Sequence, residues 1–167
     1  MNLQEVRLLH AYNSWATNRI FDAVTAIPAP DYLKDLKSSH GGIHGTLTHM
    51  VSAEKVWLSR WTGDPPEPLD HAAIPDAQTL KGLWEKIGFE TARWIGGLTD
   101  KRLLETFTMK TAKGDVFTHT YWQAFQHLVN HCSYHRGQII TMLRQTGHEV
   151  VNTDLIRFYR ETGKRPS

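Results

Sequence analysis

Four of the ten histidines in this chain lie close together in its last third: His119, His127, His131 and His135. His131 and His135 are separated by four positions, and residues at that spacing are neighbours on one face of a helix, with β-carbons about 5–6 Å apart. Two imidazoles placed in this way can converge on one metal ion. The spacing therefore indicates a metal site, provided that the segment is helical and a further ligand approaches from elsewhere.

The segment around this histidine pair has the apolar pattern of a helix in a bundle. Its apolar positions alternate in steps of four and three residues, and His135 is one of them: Tyr121, Phe125, Leu128, Cys132, His135, Ile139 and Met142. At about 100° per residue, His131 lies roughly 75° and His127 roughly 115° from the centre of this face. A buried imidazole needs a partner for each of its two ring nitrogens. Binding of a metal by one nitrogen and a hydrogen bond at the other meets this need.

Cys132 is the only cysteine, so an internal disulfide and a cysteine-based zinc cluster are excluded. Any metal ligands must then be histidines or carboxylates. Because Cys132 shares the apolar face, we expect a buried, protonated and unreactive thiol. Glu5, Arg7 and His10 interrupt the N-terminal segment, which therefore lacks the apolar stretch of a secretory signal. A cytoplasmic location is expected.

Composition excludes several other classes of protein. The chain is 40% hydrophobic and 22% charged, and it contains no apolar run approaching the roughly 18 residues of a membrane span. The formal net charge of +2 gives no indication of nucleic acid or membrane binding. A length of 167 residues fits one domain, residues 1–167, with one core.

The elements that must position the histidines are mostly helical. Spacings of three and four predict long helices over 3–27, 43–61 and 76–96, and a fourth over 120–146 that ends at Gly147. Alternating β-branched and aromatic residues predict a small hairpin over 105–118, with its turn at 112–115. A proline-rich surface loop is predicted for 63–75, and one short helix within 152–161. Four long helices with a hairpin before the last one indicate an all-α four-helix bundle.

Several stretches of the sequence resemble the DinB family of damage-inducible, DinB-like proteins. The most specific is QHLVNHCSYHRGQ at 126–138, and further matches are HAYNSWATN at 10–18, HGTLTH at 44–49 and EKVWL at 54–58. Gly147 and residues 153–155 extend the likeness towards the C-terminus, so that it covers nearly the whole chain in order.

The resemblance implies a DinB-like bundle in which His49, His131 and His135 bind a divalent metal ion. The assignment of His49 rests on this resemblance, because the strongest apolar stripe of the second long helix points roughly 140° away from it. An inward-facing His49 requires that helix to pack on two sides, and His44 is the reserve ligand. We expect zinc or nickel before iron or manganese, although imidazole ligands suit all of them.

Three imidazoles leave an open position on a divalent ion, which indicates chemistry on a small-molecule substrate. Some members of the wider superfamily are thiol-dependent transferases, which favours a low-molecular-weight thiol as that substrate. A metal-dependent hydrolase is the second hypothesis and needs a general base, for which Glu54 is the nearest candidate. A non-enzymatic, stress-linked binding or sensor protein is the third. We expect a homodimer.

Overall fold

The computed structural model describes residues 1–111 and 113–163, so part of the predicted hairpin turn, Ala112, lies outside the described residues. Four long helices account for most of the chain: α1 (Leu3–Thr25), α3 (Ile43–Thr62), α4 (Ala77–Gly96) and α6 (Tyr121–Gln145). Three shorter helices are α2 (Ala29–Tyr32), α5 (Asp100–Leu104) and α7 (Leu155–Thr162). Strands β1 (Thr106–Lys110) and β2 (Val116–Thr120) form an antiparallel hairpin in which Phe107 pairs with His119.

Local signals in the sequence fix where the long helices begin and end. Asn2 and Glu5 form a capping box at the start of α1, and Thr120 and Gln123 form another at the start of α6. The Asp76 side chain accepts a hydrogen bond from the Thr79 backbone at the start of α4. These bounds agree with the predicted helices to within about two residues.

The long helices form a bundle in which α6 packs against α1 and α3, and α4 packs against the same two helices from the other side. The helices α1 and α3 are therefore diagonal to each other, as are α4 and α6. Apolar side chains from all four fill the space between them, including Ile20, Leu47, Leu80 and Ile139, each with 0% exposure. The predicted four-helix bundle with a small hairpin is confirmed.

The connections contain short elements that periodicity did not predict. Helix α2 has four residues and lies where a polar, irregular segment was expected, and the proline-rich loop contains a 3-10 turn at His71–Ala73. Short turns of this kind have too few residues to show a periodic pattern. Among the described residues, no helix combines the length and the apolar character that crossing a membrane requires.

Candidate metal centre

Four histidine side chains meet where α3 faces α6, and we call them the histidine cluster: His40, His49, His131 and His135. Ligand nitrogens of His40, His49 and His135 lie within 4.8 Å of one another. The His131 ring lies beside this group, with its centroid 4.4 Å from that of His135 and 5.2 Å from that of His49. Distances of this size allow imidazole nitrogens to approach one ion after small side-chain movements.

Helix α3 supplies His49 because it packs on two sides. Leu47, Val51 and Leu58 are buried on one face of α3, whereas His49 is half-buried and contacts histidines of α6. Packing of α3 against both α4 and α6 provides a partner for each face. An apolar stripe that points away from His49 is therefore compatible with an inward-facing His49.

His40 reaches the cluster from the segment that precedes α3. Its ring is stacked on that of His49, with centroids 4.0 Å apart and planes inclined by 14°. Two glycines allow this segment to lie against the start of α3: a β-carbon at Gly45 would be 1.8 Å from the His40 carbonyl oxygen, and one at Gly42 would be 2.1 Å from the Lys34 carbonyl oxygen. Any larger residue at either position would displace the backbone that carries His40.

Hydrogen bonding at the cluster leaves imidazole nitrogens available as ligands. His135 Nδ1 donates to Gln138 Oε1 over 2.8 Å, which leaves the Nε2 lone pair of His135 free to bind a metal. The Nε2 atom of His131 is buried and has no hydrogen-bond partner among the described residues. A buried polar nitrogen without a partner costs on the order of 1–3 kcal/mol. A divalent ion would satisfy this nitrogen, so the residues present fit a metal.

Three histidines of the cluster, His40, His49 and His131, are held in the neutral form. The pKa of His49 is lowered to about 4, first by burial and then by the neighbouring His40 and His135. The pKa of His131 is also lowered to about 4, first by burial and then by His135 and His49. Burial likewise lowers the pKa of His40. At neutral pH these rings are uncharged, which is the form in which imidazole binds a metal.

The other two candidate histidines lie outside the cluster. His127 is exposed beyond His131, with its ring centroid 5.8 Å from that of His131 and 5.3 Å from the Trp57 ring. The Nε2 atom of His44 is 3.0 Å from the Ile74 carbonyl oxygen, and its ring contacts Tyr32 and His71. Neither ring belongs to the group whose nitrogens lie within 4.8 Å of one another.

A buried polar network lies behind the cluster, between α1, α3 and α6. Glu54 accepts hydrogen bonds from Asn13 Nδ2 at 3.3 Å and Cys132 Sγ at 3.6 Å. Burial raises the pKa of Glu54, whereas nearby Arg136 lowers it. Arg136, with 0% exposure, donates to the Asn13 side-chain oxygen at 2.6 Å. Its charge is thus held inside the bundle by neutral oxygen acceptors, which ties α6 to α1.

Cys132 belongs to this network and has the properties expected from its place on the apolar face of α6. The side chain has 0% exposure, and burial followed by the charge of Glu54 raises the pKa of its thiol well above the ordinary value. A thiol in this state is a poor nucleophile. The prediction that Cys132 is a buried, protonated core residue is confirmed.

The structure brings His49, His131 and His135 together, as the resemblance implied. Whether these three are the ligands stays a prediction, because the tightest group of nitrogens contains His40 in place of His131. Sequence reasoning missed His40, which lies in a segment without periodicity. The pair Gly41 and Gly42, followed closely by Gly45, was the available signal that backbone segments approach each other there.

Fold and site together define a helical-bundle protein with a histidine cluster suited to a divalent metal ion. The sequence model of the DinB family matches residues 1–165, and the chain belongs to that family. It is 28% identical to Protein DinB of Bacillus subtilis (strain 168) over 168 residues, covering 93% of this chain and 95% of the relative. A DinB-like protein from Bacillus cereus ATCC 10987 has a similar fold, with a TM-score of 0.61, 22% identity, and coverage of 83% of this chain and 92% of that one.

Proposed function

We propose that this protein is a metal-dependent enzyme that transfers a low-molecular-weight thiol to an electrophilic small molecule. In this proposal His49, His131 and His135 bind one divalent cation, and His40 lies beside the ion as a further imidazole. The observation that carries the proposal is the buried Nε2 of His131, which has no hydrogen-bond partner among the described residues and lies beside the rings of His49 and His135. The donor set is one that zinc and nickel accept, as do iron and manganese.

The chemistry proposed at the cluster is formation of a thioether. A divalent ion held by His49, His131 and His135 would leave a position open for a thiol, and the chemistry it would supply there is a lowered pKa of that thiol. The substrate sulfur would form a bond to an electrophilic carbon, whose leaving group would depart with its electron pair, and the thiol proton would pass to solvent. The reaction converts a thiol and an electrophile into a thioether and the protonated leaving group, without an oxidant or reductant.

Two cavities lie beside the elements that carry the histidine cluster, and no residue of the cluster is among their described lining residues. One cavity, of about 400 Å³, is lined by Gln138, the partner of His135, and by Tyr134, Gly137 and Ser38 among others. The other, of about 710 Å³, lies further along α3, between the proline-rich loop and β1. These cavities are the proposed places for parts of the two substrates.

The placement of Glu54 disfavours the hydrolase hypothesis. A metal-dependent hydrolase needs a general base within hydrogen-bond reach of the attacking water. The Glu54 carboxylate is buried and accepts hydrogen bonds from Asn13 and Cys132, and it lies roughly 140° around α3 from His49. It therefore does not serve as that base.

The experiment is a transfer assay on protein loaded separately with zinc and nickel. A panel of small thiols is incubated with chlorodinitrobenzene, and thioether formation is followed by absorbance. Thioether formation is expected to be faster with the metal-loaded wild-type protein than with metal-free protein or His131→Ala. His127→Ala, which changes a ring outside the cluster, should retain the wild-type rate. Equal rates for wild-type, His131→Ala and metal-free protein would refute the thiol-transfer proposal. Metal-dependent hydrolysis of esters without any thiol would instead support the hydrolase, and a metal-dependent change in oligomeric state with no turnover would support the sensor.

A further inference from the structure

Arg60 lines the larger cavity and has no carboxylate partner in the part of the chain that the structure describes. Among the described residues it has no ion pair within 4.0 Å, and its buried Nε has no hydrogen-bond acceptor. Its guanidinium lies over the Trp57 ring, 4.7 Å from the centroid. An arginine keeps its charge in proteins and presents donors that match a carboxylate. A half-buried arginine without an acceptor, facing a cavity, is suited to bind an anion from outside the chain.

The cations of the described cavity lining outnumber its carboxylates. Asp64 is the one acidic residue among the described lining residues, and its carboxylate accepts a hydrogen bond from Thr62 Oγ1 at 2.6 Å. Glu67, outside the lining, lies 3.5 Å from Lys55 Nζ. Lys110 adds a second cation to the lining. The remaining walls are mostly apolar or neutral, and include Val56, Pro66, Pro68, Thr108 and Met109. Apolar walls beside an arginine strengthen its attraction to an anion relative to open solvent.

The cavity lies on the same side of the bundle as the histidine cluster. Val56 and Arg60 follow His49 by seven and eleven residues on α3, which places all three within roughly 20° of one direction. A ligand long enough to reach both the cluster and Arg60 would therefore follow this side of α3.

The separation along α3 limits the size of that ligand. Eleven residues of helix span about 16 Å, and an arginine side chain that leans towards the helix N-terminus shortens the distance left for the ligand. The distance left between the cluster and the Arg60 guanidinium then corresponds to roughly three extended residues, or about 10 Å.

We propose that the Arg60 cavity binds the carboxylate of the thiol substrate, which is a peptide-sized acid with its sulfur at one end and its carboxylate about 10 Å away. The placement of the substrate's sulfur rests on the proposed function, whereas the placement of its carboxylate rests on Arg60 alone. Arg60 determines specificity, and it takes no part in the bond-forming step.

The test compares two probes of equal length on nickel-loaded, full-length protein: mercaptoacetyl-diglycine and its C-terminal amide. Absorption changes of the nickel centre report binding of the sulfur. The wild-type protein is expected to bind the acid about tenfold more tightly than the amide, since a charge-assisted bidentate contact is lost in the amide. Arg60→Gln should bind both probes equally, with the affinity that the wild-type protein has for the amide. Lys110→Gln, which removes the second cation of the lining, should reduce the preference less than Arg60→Gln does, because the Lys110 ammonium is exposed.

Three results separate the possible failures. Equal binding of acid and amide by the wild-type protein, which requires no variant, would overturn the carboxylate proposal while leaving thiol binding intact. An undiminished preference in Arg60→Gln would also overturn it. If neither thiol alters the nickel absorption, the thiol function fails. The cavity is then tested with acetyl-diglycine, whose binding is measured by calorimetry. Binding to the wild-type protein and loss of binding in Arg60→Gln would support the carboxylate site, whereas equal heats for the two proteins would refute it. Arg60→Lys, which keeps the charge but not the planar fork, should show an intermediate preference and replaces Arg60→Gln if that variant does not fold.

Discussion

Gln138 Oε1 lies 2.8 Å from His135 Nδ1, one turn along α6 from the histidine it orients. This contact fixes the imidazole so that its Nε2 is free for a metal. Gln138→Leu should therefore weaken zinc binding by about 10–100-fold, since partners of metal-binding histidines have effects of this size.

The measurement for Gln138→Leu is zinc affinity by competition with a chromophoric chelator. Gln126→Leu serves as the matched control, because Gln126 is an exposed glutamine on the same helix. Unchanged affinity in Gln138→Leu, or an equal loss in both variants, would show that the hydrogen bond does not orient a ligand.

Gly45 allows the segment that carries His40 to lie against α3. A β-carbon there would be 1.8 Å from the His40 carbonyl oxygen, so Gly45→Ala must displace backbone. We expect the free energy of unfolding to fall by about 1–3 kcal/mol, as overpacking usually causes. Gly82→Ala on α4 should be neutral or stabilising by up to about 1 kcal/mol, because no described atom beyond the neighbouring residues and the backbone of the same helix lies within 4 Å of the added carbon. Urea denaturation measures both, and a Gly45→Ala protein as stable as Gly82→Ala would contradict this packing.

The pH dependence of stability follows from the lowered pKa values of His49 and His131. In the folded, metal-free protein these histidines take up protons near pH 4, whereas in the unfolded chain they do so near the ordinary value of 6.5. The unfolded state therefore binds more protons between these values. Their contribution to the free energy of unfolding is fully present above pH 6.5 and is lost as the pH falls towards 4.

Removal of one of these histidines tests that pH dependence. In His131→Gln the free energy of unfolding, measured with urea on chelator-treated protein, should fall less steeply between pH 6.5 and pH 4.5 than in the wild-type protein. Carboxylates that titrate in the same range affect both proteins alike, so the difference between the two curves isolates His131. Parallel curves would mean that His131 is not held in the neutral form.

Cys132 is expected to take no part in thiol chemistry, because it is buried and its pKa is raised. Native protein should react with iodoacetamide only at the rate at which it unfolds, and denatured protein should react at once. Mass spectrometry follows the labelling. Rapid modification of folded protein at Cys132 would reveal an accessible thiolate and would contradict the structure.

The sequence predicts most of the fold, because each long helix has an apolar pattern and a local start or stop signal. Pro28 follows the end of α1, Asp76 caps the start of α4, and Thr120 with Gln123 caps the start of α6. The His131 and His135 pair is visible for the same reason, since helical spacing alone places both rings on one face.

The rest of the site depends on tertiary packing that has no local pattern. His49 faces α6 only because α3 packs against two helices, and His40 approaches only because Gly42 and Gly45 permit close backbone contact. Arg60 and the hairpin residue Thr108 line one cavity, although they lie in segments distant in sequence. Periodicity within one segment carries no information about such approaches.

The metal content of purified protein tests the histidine cluster most directly. After zinc loading and dialysis, elemental analysis should find one ion per chain in the wild-type protein and in His127→Ala, and much less than one in His49→Ala and His131→Ala, with circular dichroism confirming that each variant is folded. A wild-type protein without stoichiometric metal, or a His131→Ala protein that retains one ion with wild-type affinity, would contradict the proposed site.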